Sequence, residues 1–165
     1  RIREAVPGVA VRSSFIVGFP GESPADYDAL LGFCAEAELD HIGVFTYSNE
    51  EETASYVREE AISEEVKTLR REKLMRQQSR ISLERNRQRV GSTLKVLVEG
   101  PSEETDLLFQ GRAEHQAPGI DGVVLINEGE VRSGSFAEVE VLEAHPYDLV
   151  GRAISPGSGL NSVSP

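Results

Sequence analysis

An α+β fold is predicted by three features of this 165-residue chain. A strand–helix–strand pattern occupies residues 1–60, a long charged helix follows over 61–90, and five short strand-like runs separated by turn residues fill 91–153. The charge changes sign with these parts. Residues 1–60 carry 4 basic and 12 acidic groups (net −8), 61–90 carry 9 and 4 (net +5), and 91–165 carry 4 and 12 (net −8), within a formal total of −11. Such an acidic–basic–acidic succession marks three units. Residues 154–165, mostly Ser, Gly and Pro, read as a disordered tail.

The first unit reads β-α-β. Residues 9–17 are rich in Val, Ile and Phe and follow Pro7-Gly8, which makes them a strand. Ser23 then suits a helix N-cap, Pro24 the first helical position, and Asp26 completes a capping-box spacing. Tyr27, Leu30, Leu31, Cys34 and Ala37 recur at helical spacing, and the helix ends near Glu38. A second strand, His-Ile-Gly-Val-Phe-Thr-Tyr, covers 41–47. The segment between the strands is long enough for a right-handed crossover, so the strands are expected as parallel neighbours.

The helix of the second unit spans about 63–89. Ser63 can cap it, Glu64 and Glu65 suit the positive end of its dipole, and Arg85, Arg87 and Arg89 suit the negative end. Val66, Leu69, Leu74, Ile81 and Val90 form only a thin apolar stripe. Two readings follow for its charged surface: a solvated face on a helix that links domains, or contact with RNA or an acidic partner. In the third unit, residues 94–100, 107–112, 122–126, 134–142 and 149–153 read as antiparallel strands. Val139 and Val141 alternate with Glu138 and Glu140. Five strands within about 60 residues suggest a small closed barrel.

Composition excludes several functions. A hydrophobic content of 39% supports a core. No apolar run approaches the roughly 18 residues of a membrane span, and no signal-peptide pattern is present. A single cysteine, Cys34, forms no internal disulfide and fits a reducing, cytoplasmic setting. It falls on the apolar stripe of the first helix, where a buried core thiol is the bland reading and a reactive thiol the sharper one. His41, His115 and His145 lack ligand spacing, so no metal site is expected. The only methionine is Met75 and residue 1 is Arg, so the chain reads as a fragment or a processed product.

The string Val17-Gly18-Phe19-Pro20-Gly21-Glu22 carries the sharpest functional signal. A strand runs into a Gly-rich bend and then a helix start, at the end of a strand where α/β proteins bind ligands. Gly18 and Gly21 permit close backbone approach, Pro20 stiffens the bend, and Glu22 offers a carboxylate. A bend that merely turns a strand into a helix is the bland alternative.

The string resembles the fifth-strand segment of radical S-adenosylmethionine methylthiotransferases. Gly43-Val44-Phe45-Thr46-Tyr47-Ser48, followed by Glu50-Glu51-Glu52-Thr53-Ala54, resembles their sixth-strand segment, although Glu52 stands where that family commonly has Gly. Ala117-Pro118-Gly119-Ile120-Asp121-Gly122 and Tyr147-Asp148-Leu149-Val150-Gly151 look like the TRAM domain of the RimO type. About 150 of the 165 residues are covered. The resemblance implies the last βαβ piece of a radical barrel (1–60), a linking helix (61–90) and a five-stranded antiparallel, OB-like TRAM barrel (91–153).

It further implies S-adenosylmethionine beside Arg12, Gly18, Phe19, Pro20, Gly21, Glu22, Phe45 and Tyr47. Arg12 would pair either with a ligand carboxylate or with a structural partner, and Phe45 and Tyr47 serve either the ligand face or the core. Substrate contact is implied for Asp121, Tyr147 and Asp148. The whole enzyme would hold two four-iron clusters, cleave S-adenosylmethionine to a 5′-deoxyadenosyl radical and insert a methylthio group at an aspartate β-carbon of a small-subunit ribosomal protein. The cluster motif Cys-x-x-x-Cys-x-x-Cys is missing here, so no catalytic residue is expected in this chain and inactivity alone is. The barrel's net −8 suits a basic protein partner better than tRNA, whose phosphates call for a basic surface; ordinary acidity for solubility is the bland alternative. A tRNA-modifying MiaB-like relative and a non-enzymatic OB-like module remain as other readings.

Overall fold

Strand β1 (Arg12–Val17) and strand β2 (His41–Thr46) pair in parallel, from Arg12 opposite His41 to Val17 opposite Thr46. The computed structural model describes residues 1–51, 53, 55–56, 62–103 and 105–158, with the backbone alone for 155–158. Position 52 and the stretch beyond 158 lie outside the described residues. The chain forms two compact units, Arg1–Ile81 and Ser82–Pro165. The boundary falls inside the long helix rather than at its ends, so the helix is shared between units where the sequence suggests a unit of its own.

In the first unit a short helix, α1 (Ile2–Ala5), precedes β1 and has no counterpart in the sequence reading. Four residues carry no periodicity to detect. Its Arg3 donates to the carbonyls of Ala37 and Glu38, both at 2.7 Å, and to Asp40 Oδ2 at 3.2 Å. A cation is favoured there because those carbonyls form the negative end of helix α2 (Pro24–Ala37). Strand β1 starts at Arg12 rather than at 9. The preceding backbone is held by the turn before β2: Val11 N–H donates to Asp40 Oδ2 at 2.8 Å.

Helix α2 begins as its sequence dictates. Ser23 caps it, Asp26 answers from the third helical position, and Pro24 fills the first. It ends with Glu38 in the left-handed conformation, φ 42°. Tyr27, Leu31 and Cys34 bury against Val17, Val44 and Leu74 to make this unit's core, with Phe15, Leu30, Ile42 and Met75 around it. The odd-numbered residues of β1 from Ser13 therefore point inward. Arg12, Ser14 and Ile16 point the other way, and Ile16 and its partner Phe45 are 59% and 60% exposed. One face of the two-stranded sheet is covered and the other is open.

Helix α3 (Glu64–Arg87) buries Lys67, Leu74, Gln78, Ser82 and Asn86. The spacing is helical, but four of the five are polar. Within the first unit, Gln77 Nε2 donates to the Leu31 carbonyl at 2.9 Å. Gln78 Nε2 donates to those of Leu39 and Asp40 at 2.9 and 3.3 Å. Here the seam is built on side-chain amide donors meeting backbone carbonyls, which offsets the burial of those donors.

The second unit is a closed barrel of β3 (Thr93–Pro101), β4 (Phe109–Ala113), β5 (Val124–Glu128), β6 (Phe136–Ala144) and β7 (Leu149–Ser158), in the order β3-β4-β5-β7-β6. This is the OB-like arrangement expected. Val96, Val98, Ala113, Val124, Ile126, Ala137, Val139, Val141 and Leu149 fill its interior. Four of the five pairings are antiparallel, while β5 and β7 pair in parallel. An odd number of strands cannot close with every neighbour antiparallel, so one parallel seam is unavoidable. Strand β7 runs to Ser158, past position 154 where the sequence places the start of a disordered tail. Its backbone there pairs with β6, Ser155 opposite Glu138 and Ser158 opposite Phe136, and pairing decides order where composition does not.

Candidate functional site

The bend at residues 18–22 leaves the C-terminal end of β1 and enters α2. Gly18 is buried with φ +77° and Gly21 has φ +85°, conformations that favour glycine. A turn bond, Glu22 N–H to the Phe19 carbonyl at 2.9 Å, closes the bend. One oxygen of Glu22, Oε2, accepts from Gly18 N–H at 2.9 Å. The other, Oε1, is bound by the Arg70 guanidinium, which also reaches the Glu22 carbonyl at 3.3 Å. The pair is close to buried, at 11% and 12% side-chain exposure. Glu22 thus faces its own fold: both carboxylate oxygens are engaged by the chain.

The end of β2 meets the bend. Phe19 packs edge-on against Tyr47, centroids 5.1 Å apart. Lys67 Nζ lies 5.5 Å from the Tyr47 ring centroid and donates to the Tyr47 carbonyl at 3.0 Å and to Glu64 Oε1 at 2.7 Å. Its methylenes fill the space beneath Gly18, where a Cβ would strike them. The Tyr47 hydroxyl lies 2.8 Å from Ser55 Oγ and 3.1 Å from Asn49 Oδ1. Beside the bend, Tyr27 stacks under Arg70 (5.3 Å) and donates its hydroxyl to the Arg70 carbonyl at 2.7 Å. Burial raises the Tyr27 pKa, so the phenol stays a donor. At the α2 N-cap, the Ser23 hydroxyl and amide hold the Asp26 carboxyl below its ordinary range.

The structure therefore brings Gly18, Phe19, Pro20, Gly21, Glu22 and Tyr47 together. Phe45 sits on the open face of the sheet, next to Ile16. Arg12 shares that face but stands at the other end of β1, about 20 Å along the strand from Gly18 at the usual strand rise. Sequence reasoning passed over Lys67, Arg70 and Tyr27 as participants. The only available signal was Glu64, Lys67 and Arg70 at successive i, i+3 positions, which also describes any charged helix face. Cys34 is 1% exposed inside the core, and burial raises its thiol pKa. This is the inert form of cysteine.

In the second unit, Asp121, Tyr147 and Asp148 lie on two loops that meet at one end of the barrel. Asp121 Oδ2 accepts from Ala117 N–H at 2.6 Å, and Asp148 Oδ1 from Val123 N–H at 2.8 Å. Leu149 N–H donates to the Val123 carbonyl at 3.0 Å. Asn86 Nδ2 joins the same end by donating to the His145 carbonyl at 2.9 Å. Both carboxylates brace backbone, while the Tyr147 side chain remains 38% exposed. Gly122 passes so close to Tyr147 that a Cβ would overlap the Tyr147 carbonyl.

Comparison with known proteins bears on both units. Residues 90–154 match the TRAM domain family. Over 159 residues the chain is 48% identical to the ribosomal protein uS12 methylthiotransferase RimO of Solibacter usitatus, which covers 94% of this chain and 34% of that relative. The proteins of the same name from Geobacter sulfurreducens (46% over 155 residues) and Bdellovibrio bacteriovorus (48% over 153) cover 94% and 93% of the chain. The chain spans about a third of the length of these curated relatives. The resemblance to the RimO type, and the OB-like TRAM barrel it implies, are borne out.

Proposed function

We propose that this chain forms part of an enzyme that methylthiolates an aspartate of ribosomal protein uS12, supplying one wall of the S-adenosylmethionine site and the barrel that docks the protein substrate. The observation that carries this reading is similarity along more than nine-tenths of the chain to proteins bearing that activity in their name. The geometry agrees with it. A glycine bend lies at the C-terminal end of parallel strands, where α/β folds receive ligands, and an open sheet face with Ile16 and Phe45 adjoins it.

The chain's residues fit S-adenosylmethionine better than they fit a cluster. The glycine bend and Phe19 offer backbone and an aromatic edge to an adenosyl group, and Phe45 offers an apolar surface. Cluster iron needs thiolates, and the thiol of Cys34 is sealed in a core, so this chain holds no cluster ligand. When bound, S-adenosylmethionine supplies the radical precursor and the methyl group. The residues here bind and orient it, and by themselves they carry no chemistry. In the barrel, Tyr147 and the loops braced by Asp121 and Asp148 present the docking end to a basic ribosomal protein, whose charge the barrel's net −8 complements. A cytoplasmic location follows from such a substrate. No described helix is long and apolar enough to cross a membrane.

The test is a parallel capture. The protein containing this chain is presented with purified uS12 and with tRNA at low and moderate salt. Retention of uS12 and release of tRNA support the reading. Tight, salt-sensitive tRNA binding with no uS12 retention overturns it in favour of a tRNA-modifying relative.

A further inference from the structure

We infer that Arg70 and Lys67, on the long helix, are positioning residues that set the ligand-binding conformation of the 18–22 bend. The inference rests on the proposed S-adenosylmethionine site and adds residues far from it in sequence. A relay of contacts carries it. Arg70 binds Glu22, and Glu22 in turn holds the Gly18 amide at 2.9 Å. The same guanidinium nitrogen also reaches the Glu22 carbonyl at 3.3 Å, so one cationic donor holds side chain and backbone of the same residue. Tyr27 fixes the helix end of the relay through its bond to the Arg70 carbonyl. Lys67 fills the volume under Gly18 and ties the Tyr47 carbonyl, so the residue just past β2 is held by the same stretch of helix.

This arrangement determines which groups face a ligand. With both Glu22 oxygens engaged inside the fold, the bend meets a ligand through its backbone and Phe19. The direction of that backbone depends on where Glu22 is pulled. A lysine at position 70 would keep the charge but not the planar, delocalised guanidinium.

The experiment uses the full-length protein containing this chain, with S-adenosylhomocysteine as probe. Calorimetry gives its Kd, and hydrogen exchange follows residues 18–22 against the core at Val17, Leu31 and Val44. Arg70→Ala is expected to speed exchange at Gly18 and raise the Kd about tenfold, the size of one lost charge-assisted hydrogen bond. Arg70→Lys should recover part of both. Glu22→Gln, which keeps the shape, should reproduce the effect if Arg70→Ala fails to fold. Wild-type Kd and Gly18 exchange in Arg70→Ala and Glu22→Gln would overturn the inference. So would uniform loss of protection across the core with no recovery in Arg70→Lys, which is the behaviour of a purely structural residue. Wild-type protein that binds no S-adenosylhomocysteine while Gly18 stays protected would overturn the proposed function, and the ligand role with it.

Discussion

Gly18 combines two constraints: a left-handed φ of +77° and the Lys67 methylenes where a side chain would begin. Gly18→Ala is expected to lower stability by about 1–2 kcal/mol from backbone strain alone, measured as a drop in the urea midpoint at unchanged slope. Gly122→Ala should cost more, because its Cβ would overlap backbone, which yields less readily than a lysine stem. Cys34 makes a chemical prediction. A thiol buried in the core with its pKa raised by burial should resist a disulfide reagent at neutral pH until the first unit is unfolded. Immediate stoichiometric labelling of native protein would contradict it. At this scale the sequence made the bend legible, because Gly, Pro and Gly have local consequences. It could not show the partner of Glu22: Arg70 is 48 residues away, and no local spacing encodes a long-range ion pair.

The helices show where patterning works and where it fails. Helix α2 was legible from its caps and its apolar period. Helix α3 was legible as a helix, but the face it buries was not, since hydropathy registers methylenes and misses amide donors. Gln78 is 1% exposed and holds two carbonyls in the turn before β2. Gln78→Leu should therefore destabilise by about 1–3 kcal/mol, the cost of leaving buried acceptors unpaired, although it increases apolar character. An unchanged melting temperature would refute the polar seam. The helix starts also predict an acid response. Asp26 and Glu65 both titrate below their ordinary values of 3.8 and 4.5, the first held by Ser23 and the second by its own backbone N–H and Ser63. A carboxylate whose folded pKa is depressed stabilises the fold above its unfolded value, and the contribution is lost as pH falls through the folded one. The first turn of α3 should fray as pH falls below 4.5 and that of α2 as it falls below 3.8, and Asp26→Asn should flatten the α2 part of the profile, followed by amide chemical shifts.

The two units differ in how completely each satisfies itself. The barrel has no open edge. The first unit's described sheet has two strands, with Ile16 and Phe45 exposed on one face, and such a sheet is marginal without further cover. Residues 91–158 expressed alone should give a cooperative transition and strong amide protection. A piece limited to 1–60 should exchange quickly or self-associate, and uniform protection of a monomeric 1–60 would contradict this. The sequence made the barrel legible through five evenly spaced strands, and the parallel seam follows from parity once closure is granted. The reach of β7 did not show, because Ser, Pro and Gly signal loops by composition while a neighbouring strand can still recruit their backbone.

Because β7 pairs with both β5 and β6, the ring is sealed by the barrel strand translated last. A nascent chain paused before residue 149 has made four strands and nothing that can join them into a cylinder, so its valine-lined interior stays accessible to chaperones until synthesis passes that point. A stop codon at 149 should then yield an unfolded or insoluble second half rather than a slightly shorter barrel.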